Sequence, residues 1–219
     1  EHTIMVTLLS VMVARKLGLG EETLRQIALG CLLHDLGLRY ITVPYTNYEI
    51  EKSSAAEAFE YRKHTILAYS ALENEAWLDP LSRKMVLSHH ERKDGSGFPL
   101  KQKIKDIECT ILQGCDALDC SLSGMECKRA GIQQTLEYLV ETSDILYEKK
   151  VVKVIQKIIA RYPVGTRVRL NTGESGIVIT QSDNSIRPVI RILDKRDRLT
   201  DIRYNLNKNK KISILQVEE

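Results

Sequence analysis

The stretch of sequence that decides the fold is His89-His90-Glu91-Arg92-Lys93-Asp94-Gly95-Ser96-Gly97-Phe98-Pro99. Two adjacent histidines and a glutamate are followed by a glycine-rich turn that ends in proline, and such residues stop a helix. Potential metal ligands are therefore concentrated at the end of a predicted helix. Because neutral imidazole is a common protein ligand for divalent metals, the segment predicts a metal site.

The other three histidines lie upstream, each on or beside a predicted helix. His34 is joined to Asp35 at the end of an apolar stretch and precedes the helix-stopping Gly37. His64 lies among apolar residues at helical spacing, and His2 begins another such segment. Taken singly, each histidine is more often a surface group or a satisfied core group than a ligand. On facing helices, clustered imidazoles and carboxylates would suit a multi-metal hydrolase.

A further carboxylate, Asp116, lies in an otherwise apolar stretch. An unpaired charge at such a position would be costly. A chance origin is improbable for the whole combination, which comprises the His-Asp-x-Gly sequence at 34–37, the spaced His64, the His-His-Glu run with its Gly-Phe-Pro turn, and Asp116. We therefore prefer the joint metal-site interpretation to separate structural roles for these residues.

Over residues 2–161 these motifs resemble the HD-GYP domain, a subgroup of the HD-domain metal-dependent phosphohydrolases. The resemblance implies a helical bundle that holds two or three iron or manganese ions. It also implies cleavage of a cyclic dinucleotide, chiefly cyclic di-GMP to pGpG and GMP. Asp35 would be the catalytic carboxylate and would bridge two ions. The implied metal ligands are His2, His34, Asp35, His64, His89, His90 and Asp116.

The resemblance also places the turn from Asp94 to Pro99 at one rim of a nucleotide groove. The implied substrate-binding residues are Asp94, Gly95, Gly97, Phe98 and Lys128. Glu91 is interpreted most simply as an acceptor that orients a ligating imidazole, with a solvated carboxylate at the helix end as the alternative.

Three positions depart from the family pattern. Leu38 stands where the family has a lysine that contacts the scissile phosphate, and Met125 stands where it has a phosphate-binding arginine. Phe98 keeps the aromatic ring of the usual tyrosine without its hydroxyl. Loss of one cationic contact made in the transition state typically costs about two to three orders of magnitude in rate. We therefore expect a slow enzyme, and the alternative is a catalytically degenerate, metal-containing receptor for cyclic di-GMP.

Composition is consistent with a soluble cytoplasmic protein. Of the 219 residues 43% are hydrophobic, no apolar run approaches the roughly 18 residues that span a bilayer, and no signal peptide is visible. Five cysteines form no C-x-x-C pair and are expected to be free thiols, most of them buried, as in a reducing compartment.

Periodicity predicts a mainly α chain with two domains. Helices are predicted at 3–18, 22–36, 54–75, 80–90, 106–122, 131–142 and 144–161. The loop Leu38–Ser54 follows the metal ligands directly and could act as a lid. Strands are predicted at 164–170, 176–180, 187–193 and 211–217. The expected architecture is an HD-type helical bundle over 1–161, followed by a small antiparallel β roll or barrel over 162–219.

Charge differs between the two predicted domains. Residues 1–161 have a net charge of −1, and residues 162–219 have a net charge of +4. A basic β module permits a nucleic-acid partner, but Tyr204 is its single aromatic residue inside the predicted strands and loops, which is too few for base stacking. We expect cyclic di-GMP or a related dinucleotide as the ligand. An upstream sensory domain, a diguanylate cyclase partner or a homodimer are further expectations from the family.

Overall fold

Residues 1–218 are described by a computed structural model. The first part of the chain is helical, as its periodicity predicts. The helices are α1 His2–Lys16, α2 Glu21–Leu33, α3 Ala55–Leu72, α4 Pro80–Ser88, α5 Ile107–Ser123, α6 Ile132–Glu141 and α7 Lys149–Ile158. Within the described residues, no helix combines the length and apolarity that crossing a lipid bilayer requires.

A five-stranded antiparallel sheet follows the helices. Its strands are β1 Arg167–Leu170, β2 Ser175–Thr180, β3 Val189–Leu193, β4 Leu199–Asn205 and β5 Ile214–Val217. Their order across the sheet is β4-β3-β2-β1-β5. The mainly α class with a small C-terminal antiparallel module is therefore confirmed.

The prediction missed one strand, β4. This strand lies at an edge of the sheet, and most of its side chains are exposed. It therefore lacks the alternation of buried apolar and exposed polar residues by which a half-buried strand is recognised. The chain divides into two compact units, Glu1–Ile155 and Gln156–Glu219, so this division lies inside α7 and before the predicted boundary at 161.

The central helix of the first unit is α5, which is buried around most of its circumference, and α1, α2 and α4 all pack against it. A helix that is covered on nearly every side belongs to the core of a bundle. Asp116 lies in the middle of this helix and is 1% exposed. The bundle therefore places one carboxylate at its centre.

Local sequence signals set the ends of the helices around the site. The Ser54 hydroxyl caps α3 by accepting a hydrogen bond from the Glu57 amide, and the Glu57 carboxylate accepts one from the Ser54 amide. Asp79 caps α4, whose first residue is Pro80. The helix α5 ends at Gly124, which has a φ of +82°. These signals fix where each helix begins or ends.

Gly37 lies in the short 3-10 helix Leu36–Tyr40 that follows α2, and it brings this helix into contact with α3. A Cβ at this position would lie 1.9 Å from the carbonyl oxygen of His64 and 2.9 Å from the amide nitrogen of Ala68. Only glycine permits so close an approach of two backbones. This contact holds Asp35 and His64 next to each other.

We predict that Gly37→Ala lowers the free energy of unfolding by at least about 2 kcal/mol, because the new methyl group meets backbone atoms that cannot rotate away. Urea unfolding of the metal-free protein measures the change. Gly20→Ala is the matched control, since nothing lies within 4 Å of its added Cβ, and it should cost under about 1 kcal/mol. Equal stability of the two variants would contradict the prediction.

Candidate metal centre

The carboxylate of Asp35 lies between two pairs of imidazoles. Its Oδ2 is 3.3 Å from His34 Nε2 and 3.5 Å from His2 Nε2. Its Oδ1 is 3.7 Å from His89 Nε2 and 3.8 Å from His64 Nε2. Each oxygen of one carboxylate therefore faces its own set of nitrogen donors.

Asp116 completes the first ligand set, which comprises His2, His34, Asp35 and Asp116. The Oδ1 of Asp116 lies 3.2 Å from His2 Nε2 and 3.5 Å from His34 Nε2. Two donors that each lie about 2.1 Å from a shared ion are separated by about 3.0–3.5 Å. The first ligand set has these separations.

The second ligand set comprises Asp35, His64, His89 and His90. The Nε2 atoms of His64 and His89 are 3.1 Å apart. His64, His89 and His90 each offer a ligand atom within 4.8 Å of the others, and all three side chains are buried. The structure thus brings together all seven residues that the sequence marks as metal ligands.

Three of the imidazoles are oriented by the helix that carries them, because each Nδ1 lies within hydrogen-bond distance of the carbonyl oxygen three residues earlier. The pairs are His34 with Cys31 at 2.6 Å, His64 with Tyr61 at 2.7 Å and His89 with Val86 at 2.8 Å. A proton on Nδ1 leaves the lone pair of Nε2 free to bind a metal.

Asp119 orients His2 and was missed by the sequence analysis. Its Oδ2 lies 2.6 Å from His2 Nδ1, on the side of the ring opposite the first ligand set. Asp119 follows Asp116 by three residues on α5, a spacing that places both carboxylates on one helix face. This Asp-x-x-Asp spacing is the signal that could have revealed it.

Unpaired polar atoms test whether these residues fit a metal. His34 Nε2, His90 Nδ1 and Asp116 Oδ2 are buried and have no hydrogen-bond partner. A buried polar atom without a partner costs free energy, so such atoms are rare unless an ion or water satisfies them. All three belong to the two ligand sets, and their chemistry suits divalent cations.

The protonation states differ between the two ligand sets. Burial, followed by the neighbouring charges of His34 and His64, lowers the pKa of His89 to about 3, so the second set offers a neutral imidazole at neutral pH. Burial opposes ionisation of Asp116, but the hydrogen bond from His2 and the neighbouring His34 outweigh it and hold its pKa well below the usual range. Burial also opposes protonation of His2 and His34, but a hydrogen bond to Asp116 raises the pKa of His2 to about 9, and the charge of Asp35 raises the pKa of His34 well above its usual value. A metal that binds to the first set therefore displaces a proton from each of these two rings.

A cavity of about 450 Å³ opens beside His90. This volume lies within the usual range of ligand sites. Two arginine side chains lie on its wall. The Arg62 guanidinium is 5.5 Å from the Phe98 ring centroid, and the Arg92 guanidinium is 5.1 Å from the Tyr147 ring centroid. The cavity therefore borders the second ligand set and has a partly cationic wall.

The proposed substrate-binding residues divide between the cavity and its supporting turn. Gly97, Phe98 and Lys128 line the cavity. Asp94 instead accepts hydrogen bonds from the amide and hydroxyl of Ser96. Gly95 has a φ of +87°, which lets the chain reverse there. Asp94 and Gly95 thus shape the rim.

The interpretation of Glu91 is corrected by its hydrogen bonds. Its side chain is buried and accepts from the Leu100 amide at 2.6 Å and from the Gln102 amide at 2.9 Å. The carboxylate therefore fastens the chain after the Gly-Phe-Pro turn and does not orient an imidazole. His34, His64 and His89 do not need it, because backbone carbonyls already occupy their Nδ1 atoms.

Leu38 and Met125, which replace the two expected phosphate-binding cations, pack in one apolar cluster. Leu38 is buried there with Ile50 and Tyr61, and Phe98 packs against them. We call the Leu38–Ser54 segment the lid loop. Its apolar side chains are held by Phe98 of the Gly-Phe-Pro turn and by Met125 after α5. Arg39 does not replace the missing lysine, since it is exposed and stacks on Tyr40.

Backbone hydrogen bonds tie the lid loop to the chain after α5. The Asn47 amide donates to the Gly124 carbonyl at 2.6 Å, and the Glu126 amide donates to the Tyr45 carbonyl at 2.6 Å. Glu49 in the lid loop pairs with Lys128 at 3.1 Å. These contacts hold the loop against the chain after α5, and its segment 49–52 lines the cavity.

Glu126 is a second residue that the sequence analysis missed. Its Oε2 accepts a hydrogen bond from the Tyr61 hydroxyl at 2.8 Å and lies 3.8 Å from His90 Nε2. Burial, followed by the charge of Asp116, raises the pKa of Glu126 to about 7. No local motif marks this glutamate, because its approach to His90 depends on the turn after α5.

A scan against protein-family models matches the HD domain over residues 1–120, more than half of the chain. The chain belongs to the HD domain family. The resemblance predicted from the His34-Asp35 pair and its companion histidines is confirmed by this match.

Curated relatives and a solved structure agree with the assignment. The chain is 28% identical to a cyclic di-GMP phosphodiesterase of Pseudomonas aeruginosa, covering 84% of this chain and 45% of the relative. It is 25% identical to the cyclic di-GMP phosphodiesterase PdeB of Borreliella burgdorferi, covering 96% and 53%. An HDG"Y"P protein from Bdellovibrio bacteriovorus has the same fold, with a TM-score of 0.60 and 19% identity over 70% of this chain and 50% of that one. The HD-family chain spans about half the length of these relatives.

For this HD-family chain we predict that Asp119→Ala weakens binding of the first metal ion about 10- to 100-fold, because His2 loses the partner that orients its ring. Competition with a metal chelator measures the affinity. Asp106→Ala, at the start of the same helix, is the matched control and should bind metal as the unchanged protein does, since its partner is Lys84. An unchanged affinity in Asp119→Ala would show that His2 is not a ligand.

Proposed function

We propose that this chain is a metal-dependent phosphodiesterase that hydrolyses a cyclic dinucleotide, with cyclic di-GMP as the preferred candidate. The observation that carries the proposal is the Asp35 carboxylate, whose two oxygens face two sets of imidazoles beside a cavity of about 450 Å³. The relatives from P. aeruginosa and B. burgdorferi, both cyclic di-GMP phosphodiesterases, support the choice of substrate.

We propose that two or three divalent ions, iron or manganese, occupy the ligand sets. The residues that would hold them are His2, His34, Asp35, His64, His89, His90 and Asp116. When bound, such ions activate water for attack at phosphorus and take up the charge that develops on the phosphoryl oxygens. Asp35 would serve both sets through its two oxygens, which makes it the catalytic carboxylate of the proposal.

The protein's own contribution is to bind and position the substrate. Phe98 stacks on His90, with ring centroids 4.5 Å apart, and Arg62 covers the ring of Phe98. This stack lies on the cavity wall beside the second ligand set. A dinucleotide in the cavity would then place one phosphate close to the imidazoles, and fixed positioning is a large part of phosphoryl-transfer catalysis.

Leu38 and Met125 stand where the family has cations, so the cationic contacts to the substrate phosphates would come from other residues. Leu38 and Met125 are apolar and pack together. Arg62 and Lys128 both line the cavity and carry positive charge to its rim. We propose that these two side chains bind the phosphates. They would stabilise the transition state less than a buried lysine would, so we expect slow turnover.

The proposal is tested by incubating the protein, loaded anaerobically with Fe(II) or Mn(II), with cyclic di-GMP at enzyme excess. We expect chromatography to show pGpG or GMP, and we expect no product from Asp35→Ala, which loses both bridging oxygens. Asp106→Ala is the matched carboxylate control and should retain the activity. Product at an equal rate from Asp35→Ala would contradict the proposal.

A receptor without turnover is the second candidate, favoured by the apolar cluster in which Leu38 and Met125 join the lid loop. In the same experiment, retained cyclic di-GMP on a metal-loaded protein without product would identify a receptor. A protein that binds metal but no nucleotide would contradict both candidates. The sensory or diguanylate cyclase partner and the homodimer stay predictions.

We further predict that Glu49→Gln tightens cyclic di-GMP binding by up to about fivefold, because it frees Lys128 from a surface ion pair, and the gain should be small because exposed ion pairs are weak. Isothermal titration of the metal-loaded protein measures the dissociation constant. Glu51→Gln removes the same charge from the same loop and is the control. Equal gains in both variants would mean that net charge, and not release of Lys128, causes the change.

A further inference from the structure

Cys120 lies against the first ligand set. Its Sγ is 3.5 Å from Asp116 Oδ1 and 4.0 Å from His2 Nε2. It follows Asp116 by one helical turn on α5, and its side chain is buried. The thiol therefore faces the same region as the two predicted ligands.

The spacing of the three donor atoms is close to that around one shared ion, to which Cys120 would be a fifth donor of the first ligand set. With a metal–sulfur distance of about 2.3 Å and metal–nitrogen or metal–oxygen distances of about 2.0–2.1 Å, sulfur should lie about 3.1–3.6 Å from a neighbouring donor. The distances from Cys120 Sγ are 3.5 Å and 4.0 Å, and His2 Nε2 lies 3.2 Å from Asp116 Oδ1. Only a small shift of the Cys120 thiol toward His2 is needed for all three atoms to bind one ion.

The other cysteines have different surroundings. Ser10 lies beside Cys31 and Cys115, while Ser88 lies beside Cys109. These thiols have serine neighbours in the core, whereas both nearest polar neighbours of Cys120 belong to the first ligand set. The proximity of Cys120 to the site is therefore not a general property of buried cysteines in this chain.

We propose that Cys120 binds metal as a thiolate at the His2–Asp116 edge of the first ligand set. The inference rests on the metal binding that the proposed function requires. On coordination the S–H bond is replaced by a sulfur–metal bond, and the proton leaves to solvent through the cavity, which Cys120 also lines.

A sulfur ligand changes which metal the site prefers. Thiolates favour softer ions such as zinc, and they disfavour manganese, which prefers oxygen donors. Iron(II) and cobalt(II) also rank above manganese(II) in general affinity for such sites. Cys120 therefore favours iron over manganese at the edge formed by His2 and Asp116.

Anaerobic titration with cobalt(II) tests the inference, because a cobalt–thiolate bond produces a near-ultraviolet charge-transfer band that oxygen and nitrogen ligands do not give. We expect this band in the unchanged protein and its loss in Cys120→Ser, with visible cobalt bands remaining in both. Cys127→Ser is the matched control, because Cys127 lines the same cavity but its thiol donates to the Cys120 carbonyl. This control should keep the charge-transfer band.

A band that persists in Cys120→Ser, or bound cobalt without a charge-transfer band in the unchanged protein, would overturn the inference. Neither result would contradict the proposed function, which the cyclic di-GMP assay tests separately. Absence of bound metal by elemental analysis would overturn both. X-ray absorption of the zinc-loaded unchanged protein needs no variant and should show a sulfur scatterer at about 2.3 Å; a shell of nitrogen and oxygen alone would also refute the role of Cys120.

Discussion

The position of the Asp35 carboxylate between two pairs of imidazoles is the constraint on which the bundle depends. Its two oxygens reach both ligand sets only because α2 ends immediately before it and because Gly37 lets the chain touch the backbone of His64. The same close approach packs the short 3-10 helix Leu36–Tyr40, which follows α2, against α3. The contact between Gly37 and the His64 backbone therefore sets both the packing and the geometry of the metal centre. A change that loosens this contact also separates Asp35 from His64.

Most imidazoles in this centre are held by their own helices. A carbonyl three residues back orients each of His34, His64 and His89, so the ring direction follows from the helix geometry. His2 is in the first turn of α1, and the carboxylate of Asp119 from α5 takes that role for its ring. The arrangement leaves Glu91 available to secure the turn that forms the cavity rim.

The apolar cluster around Leu38 joins the lid loop to α3. Where a lysine would need water or phosphate beside its ammonium group, leucine is stabilised by contact with Ile50 and Tyr61. The replacement thus puts an apolar side chain in the place of a cation, and the same contacts hold the lid loop against Tyr61. Met125 packs on this cluster from the chain after α5.

The sequence by itself determined the helical bundle and four of the five strands, because periodicity is a local pattern, and its His-Asp and His-His-Glu motifs led to the seven candidate metal ligands that the structure brings together. The edge strand β4 escaped, since its exposed side chains leave no such pattern. Only the tertiary structure decided the partner of Glu91, the roles of Asp119 and Glu126, and the approach of Cys120 to His2. The spacing of Asp119 from Asp116 does mark a shared helix face, but no spacing along one segment tells which group a side chain meets across packed helices and turns.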